Sequence, residues 1–245
     1  RLVYAAIRGF GDPRSGKSPY SDWPSYDVVA QAMGGVMSLT GPDADSFTKV
    51  GPGVGDIFSG MVMAFGILAA LRLAEATGEG QFVDVAMYDA VLSLCERAVY
   101  LNDFNGTTPG PEGNNHPFLA PFGLFKAKDG AVAIGVVEDK FWQILADAMG
   151  GDTLCNNAKF ATRAARAKHK DALNSLVETW TKAHTKAELS TILGSKIPFG
   201  PLNSVTDIVN DPHVMQRSML AQVPNPDSPK APWTVASNPL RFSAS

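Results

Sequence analysis

Val54-Gly55-Asp56-Ile57-Phe58-Ser59-Gly60-Met61-Val62-Met63-Ala64-Phe65-Gly66-Ile67-Leu68-Ala69-Ala70-Leu71 is the stretch on which the fold reading turns. From Ser59 to Ala76 it predicts a helix that is apolar nearly all round. Charge enters only in the last turns, and Gly78 supplies a natural stop. Directly after it, Gln81 to Met87 carries Phe82, Val83 and Val85 and reads as a strand, and Ala90 to Leu101 reads as a further helix. Upstream, Leu2 to Ile7 reads as a buried strand ended by Gly9 and Gly11, and Val28 to Met33 as a short helix closed by Gly34-Gly35. Strand, helix, strand, helix predicts an α/β layer with a parallel sheet.

Composition shifts at Asn105 to Asn115, a segment rich in Gly, Pro and Asn. Beyond it, Gly123 to Val137 predicts a β-hairpin turning at Asp129-Gly130. Helices are expected at 138–149, 169–183 and 186–193, an extended segment from Pro198 to Val205, and a short helix from Asp211 to Met219. This divides the chain into a first domain over 1–112, a small α+β domain over 113–228, and a segment over 229–245 that returns toward the first. The chain opens inside an apolar run without Met or a signal-peptide pattern and stops just after another strand-like segment, so it reads as an internal piece of a longer protein.

With 245 residues, 45% hydrophobic and 18% charged, the chain has the composition of a soluble globular enzyme. A formal net charge of −3 argues against a nucleic-acid partner, which favours basic proteins. The unbroken apolar run from Gly60 to Leu71 has only 12 residues, short of a bilayer span, so no membrane partner is expected. Two cysteines, Cys95 and Cys155, offer neither metal-ligand spacing nor a disulfide framework, which suits a reducing cytosol. No metal site and no permanently bound cofactor are expected.

Asp56 stands at the start of the apolar helix behind a glycine hinge. First-turn amides and the helix dipole favour negative charge there. A positioned carboxylate can serve as a nucleophile, and it can equally be a plain N-cap. Ser25-Tyr26-Asp27 forms a second polar block ahead of the helix that holds Gln31. Tyr26 could donate to an anionic substrate, and Asp27 could cap the helix beginning at Val28. Among four histidines, only His116, in Asn114-Asn115-His116-Pro117, lies in a loop suited to a site.

Gly11-Asp12-Pro13-Arg14-Ser15-Gly16-Lys17-Ser18 matches the phosphate-loop expression G-x-x-x-x-G-K-[ST] after a predicted strand. That motif works only if Lys-Ser opens a helix whose amides cradle phosphate. Pro19 and Pro24 argue against such a helix, so nucleotide hydrolysis stays the weaker reading.

Taken as an ordered set, Tyr26-Asp27-Val28-Val29-Ala30-Gln31-Ala32-Met33-Gly34-Gly35, Thr40-Gly41, Gly55-Asp56, Gly66 to Leu71, Thr77-Gly78-Glu79-Gly80-Gln81, Val83 to Met87 and Asp89-Ala90 resemble the family III CoA-transferases. The resemblance implies a Rossmann-like large domain, present here in part, with a smaller α+β domain in an interlocked homodimer. It implies Asp56 as nucleophile and Tyr26, with Asp27 beside it, against the transferred acid; Gln31 and His116 are further candidates for contact with the substrate. Glycine loops carrying Gly53 and Gly55 would supply oxyanion-stabilising amides. Coenzyme A would move between an acyl-CoA and a small carboxylic acid. The glycine run of formyl-CoA transferase is replaced here by Gly113 to Pro121, which counts against formyl or oxalyl as the acyl group. The racemase branch of the family carries a histidine where this chain has Tyr26, which places racemisation second.

Overall fold

A computed structural model describes residues 2–228 and 230–244. They form two compact units, 1–117 and 118–245. Arg1, Pro229 and Ser245, which fall in the predicted first domain and return segment, lie outside the described residues.

The first unit contains β1 (Tyr4–Arg8), α1 (Asp27–Met33), a 3-10 turn (Val36–Leu39), α2 (Val54–Thr77), β2 (Phe82–Ala86), α3 (Met87–Leu94) and α4 (Glu96–Asn105). β1 and β2 pair in parallel from Tyr4↔Phe82 to Arg8↔Ala86. Parallel neighbours need a long crossover, and α1 and α2 provide it. Alternation along β2 decides what each face carries. Val83 packs on α2, where a methyl at Gly66 would lie 3.0 Å from Val83 Cγ1. The opposite face presents Phe82 and Asp84. There the Arg14 guanidinium lies 4.1 Å from the Phe82 ring centre. Asp84 accepts the Asp12 amide at 2.9 Å.

α2 runs 24 residues, starting five residues before the predicted Ser59. Because Gly53-Val54-Gly55 enters the helix without a break, α2 is twice as long as its unbroken apolar run. By length and composition alone it could cross a membrane. Gly78, left-handed at φ 80°, ends it as expected. The core shared by α1 and α3 is small: Ala30, Met87 and Val91, with Val36 against them. Along α2, by contrast, Ile57, Met61, Phe65 and Leu68 recur at helical spacing and are 62–77% exposed. The helix predicted over 90–101 is broken at Cys95, whose ψ of 17° separates apolar α3 from polar α4.

The second unit contains β3 (Phe122–Ala127), β4 (Gly130–Gly135), α5 (Asp139–Gly150), α6 (Asp152–Cys155), α7 (Arg163–Lys168), α8 (Lys170–Thr181), α9 (Lys186–Leu193), β5 (Phe199–Pro201), α10 (Val205–Val209), α11 (Pro212–Gln216), β6 (Leu220–Val223) and β7 (Trp233–Ala236). β3 and β4 form the predicted hairpin, and β5 adds antiparallel to β4. Residues 233–236 pair with 220–223 as a second antiparallel ribbon. Trp142, Leu145, Leu173, Val177, Leu189 and Leu193 are fully buried against Phe125, Val132 and Ile134 of the sheet.

Arg166 is buried in this core. Its guanidinium donates to the carbonyls of Ala120 and Phe160 at 3.2 and 3.1 Å, and to Asp139 at 2.8 Å. Removing it strands two carbonyls away from water. Arg166→Leu is therefore expected to destabilise the second unit by about 3–5 kcal/mol in urea unfolding, whereas a loss under about 1 kcal/mol would show that the network is dispensable.

Candidate functional site

Two glycine contacts bring the polar blocks of the first unit together. A methyl at Gly9, just past β1, would fall 2.3 Å from Ser25 Cβ, so Ser25 can close on the end of β1 only against a glycine. Tyr26 and Asp27 follow at once and open α1 beyond the carboxyl end of β1. That end of a parallel sheet is where ligands bind in α/β proteins. At Gly55 a methyl would lie 3.1 Å from both Ala30 Cβ and Asp27 Oδ1, so α1 and α2 touch through this glycine.

Caps are not where the sequence placed them. Asp56 sits third in α2, and Gly53 occupies the N-cap position, with no side chain to give. Tyr26 occupies the N-cap position of α1 without a side-chain capping bond, and Asp27 is the helix's first residue. Asp27 instead caps α2 from outside, accepting the Gly55 amide at 2.8 Å through Oδ1. Its other oxygen accepts Gln31 Nε2 at 2.9 Å. Gln31 Oε1 then accepts the Val50 amide at 3.0 Å, tying the loop before α2 to α1. Lys49 Nζ closes the far side of that loop on the carbonyls of Val50 and Gly51 at 2.9 and 3.1 Å.

Asp56 takes no part in this network. Its side chain is exposed, and no hydrogen bond or ion pair among the described residues engages it. The cap explanation for Asp56 is therefore removed. The point where a Gly53 methyl would sit lies 3.7 Å from Asp56 Oδ2 and 3.8 Å from Asp27 Oδ1, so the two carboxylates flank one glycine. Tyr26 stands on the same turn as Asp27, 79% exposed.

Gln31, expected near substrate, is 0% exposed with both ends of its amide engaged. Gly55, expected to offer its amide to an oxyanion, has already given it to Asp27. The Gly53 amide has no acceptor among the described residues and keeps that capacity. His116 is half-buried in the loop that ends the first unit, outside the hydrogen bonds joining Asp27, Gln31 and Gly55.

The phosphate-loop match is a loop, not a cradle. Ser18 is followed by turns, and the next helix begins only at Asp27. Asp12 anchors the segment. It is buried and paired with Arg8 at 2.9 Å and Arg14 at 2.8 Å, and the Arg14 side-chain hydrogen bond leads in holding its carboxyl well below the usual range. Gly16, Lys17 and Ser18 line a cavity of about 630 Å³ with Phe10, Tyr20 and Tyr88. Without oriented helical amides, the nucleotide-hydrolase reading loses its physical basis. Among the described residues, no group of three or more His, Cys, Asp or Glu could hold a metal.

The sequence matches the description of CoA-transferase family III over residues 1–245, and the chain belongs to that family. It is 42% identical over 242 residues to a succinyl-CoA:mesaconate CoA-transferase of Haloarcula marismortui, covering 99% of this chain and 60% of that protein. An acetyl-CoA:oxalate CoA-transferase of Acetobacter aceti is 34% identical over 222 residues, covering 90% and 56%. The crystal structure of a CAIB/BAIF family protein from Brucella suis superposes with a TM-score of 0.79 at 32% identity, covering 99% of this chain and 61% of that one. The chain thus spans about 60% of the length of the curated relatives it matches.

Because a methyl at Gly55 would press on Ala30 and Asp27 of α1 at 3.1 Å, Gly55→Ala is expected to lower stability by about 1–3 kcal/mol. Gly53→Ala meets only ordinary contacts and should stay within about 0.5 kcal/mol of the parent. Urea denaturation of both variants checks the contrast, and equal losses would contradict the packing described for Gly55.

Proposed function

We propose that the protein transfers coenzyme A from an acyl-CoA to a small carboxylic acid, with Asp56 as the nucleophile. One observation carries this reading: Asp56 is an exposed carboxylate in the first turn of α2, with no hydrogen-bond or ion-pair partner among the described residues. An Asp56 oxygen attacks the thioester carbonyl, the carbon–sulfur bond breaks, and CoA leaves as thiolate. The thiolate attacks the aspartyl carbonyl of the resulting anhydride, forming an aspartyl-CoA thioester and releasing the first acid as carboxylate. The acceptor carboxylate attacks that thioester, expelling thiolate and making a second anhydride. The thiolate then attacks its acyl carbonyl, and Asp56 is regenerated. No nucleotide is consumed, because the activation energy stays in the anhydride and thioester bonds.

Around this centre, the Gly53 amide stabilises tetrahedral oxyanions and Tyr26 orients the acceptor carboxylate. The acceptor class we favour is a small dicarboxylic acid, in keeping with the names of the relatives. No observation favours racemisation. We also read the first unit as part of a Rossmann-like domain and the complete enzyme as an interlocked, cytoplasmic homodimer. The exposed stripe of Ile57, Met61, Phe65 and Leu68 supports an apolar partner for α2.

The test uses the full-length enzyme. Incubation with acyl-CoA followed by hydroxylamine should convert Asp56 to a hydroxamate detectable by peptide mass. Asp56→Ala and Asp56→Asn should abolish both the hydroxamate and the transfer. Substantial turnover in either variant, or no hydroxamate in the parent, sinks the assignment. Tyr26→Phe should weaken acceptor use by roughly 1–3 kcal/mol, the scale of a lost hydrogen bond to a charged group. An unchanged kcat/KM for the acceptor would remove Tyr26 from the site.

A further inference from the structure

We infer that Gln31 and Asp27 are positioning residues that hold the start of α2 against α1 and so set where the Asp56 carboxylate stands; this rests on the reading of Asp56 above. A helix start leaves amides without intrahelical acceptors, and some acceptor must satisfy them. Gly53, at the N-cap position, has no side chain to offer. Asp56, third in the helix, does not serve either, because from that position an acidic side chain reaches back to the N-cap amide of Gly53 rather than to that of Gly55. The acceptor for Gly55 therefore comes from outside the helix, and the residue that supplies it also fixes where the first turn, with Asp56 on it, stands.

Asp27 is that acceptor. It accepts the Gly55 amide at 2.8 Å from a different helix. A second carboxylate beside Asp56 carries its own hazard, since like charges repel and an Asp27 free to rotate would swing away. Gln31 fixes it. The buried amide donates to Asp27 Oδ2 at 2.9 Å and accepts from Val50 at 3.0 Å, joining Asp27 to the loop that carries Gly53. Nε2 also lies 3.4 Å from the carbonyls of Val50 and Pro52. A glutamine suits this position because it donates on one side and accepts on the other. A glutamate in its place could still accept from Val50 but would face Asp27 with a second acceptor.

An amide–carboxylate exchange tests this. Gln31→Glu alone removes the donor to Asp27. Asp27→Asn alone sets an amide against the Gln31 amide. Together they restore the chain in reverse: residue 27 accepts from Gly55 and donates to residue 31, which accepts from Val50. In the full-length enzyme each single variant should lower kcat, and the rate of hydroxamate formation at Asp56, by about 10- to 100-fold. KM for acyl-CoA should move by less than about threefold, because binding is not what changes. The double variant should regain at least about tenfold over the worse single variant.

Single variants with parental kcat would overturn the inference. So would a double variant that folds, by far-UV circular dichroism and melting, yet stays as slow as the singles. If Gln31→Glu does not fold, the double variant alone decides: kcat within about tenfold of the parent supports the exchange, and a folded but inactive protein refutes it. Absence of hydroxamate in the parent would instead reject Asp56 as nucleophile, a separate failure.

Discussion

The hydrogen bond from the Gly55 amide to Asp27 is the constraint on which the first unit's site depends. It fixes the distance between α1 and α2, which only glycine at 55 permits, and it satisfies one of the amides that the helix start leaves without an intrahelical acceptor. The helix dipole favours negative charge at the same place, so two acidic groups can stand around Gly53 without a cation between them. One is bound and structural, the other unbound and exposed. That asymmetry arises from the bonds each carboxylate makes, not from any difference in residue type.

Much of this was legible in the sequence. Asp56 stood out through its glycines and the apolar helix behind it, and Asp27 with Gln31 shows the four-residue spacing that lets side chains meet along a helix. The hairpin at Asp129-Gly130 and the stop at Gly78 follow from backbone preferences that need no tertiary context. The trans cap was not legible. Asp27 and Gly55 are 28 residues apart, and capping rules read only the residue immediately ahead of a helix. The same limit hid that Asp27 takes the Gly55 amide.

Other misses have the same root. The helix over 90–101 satisfies an apolar pattern throughout α3, but α4 is polar, and Cys95 turns the chain between them. Its thiol is buried, which pushes its pKa up and fits a packing role. The capping boxes at Thr185 with Glu188 and Ser204 with Asp207 mark α9 and α10 in plain spacing. Helix α10 went unread because it is only five residues long and falls between the segment read as extended to Val205 and the helix read from Asp211.

On the proposed chemistry, the exposure of Asp56 sets a further requirement. Acyl anhydrides and aspartyl thioesters hydrolyse, so the reacting centre must be dry while they exist. Asp56 is bordered on α2 by Ile57, and the apolar stripe continues through Met61, Phe65 and Leu68. Burying that stripe is favourable on its own account, at roughly 25 cal/mol per Å² of apolar surface removed from water. A partner surface drawn onto it would also exclude water from the end of the helix where Asp56 stands. Assembly and protection of the intermediates would then share one driving force, and the nucleophile's place at the edge of an apolar face becomes a functional necessity.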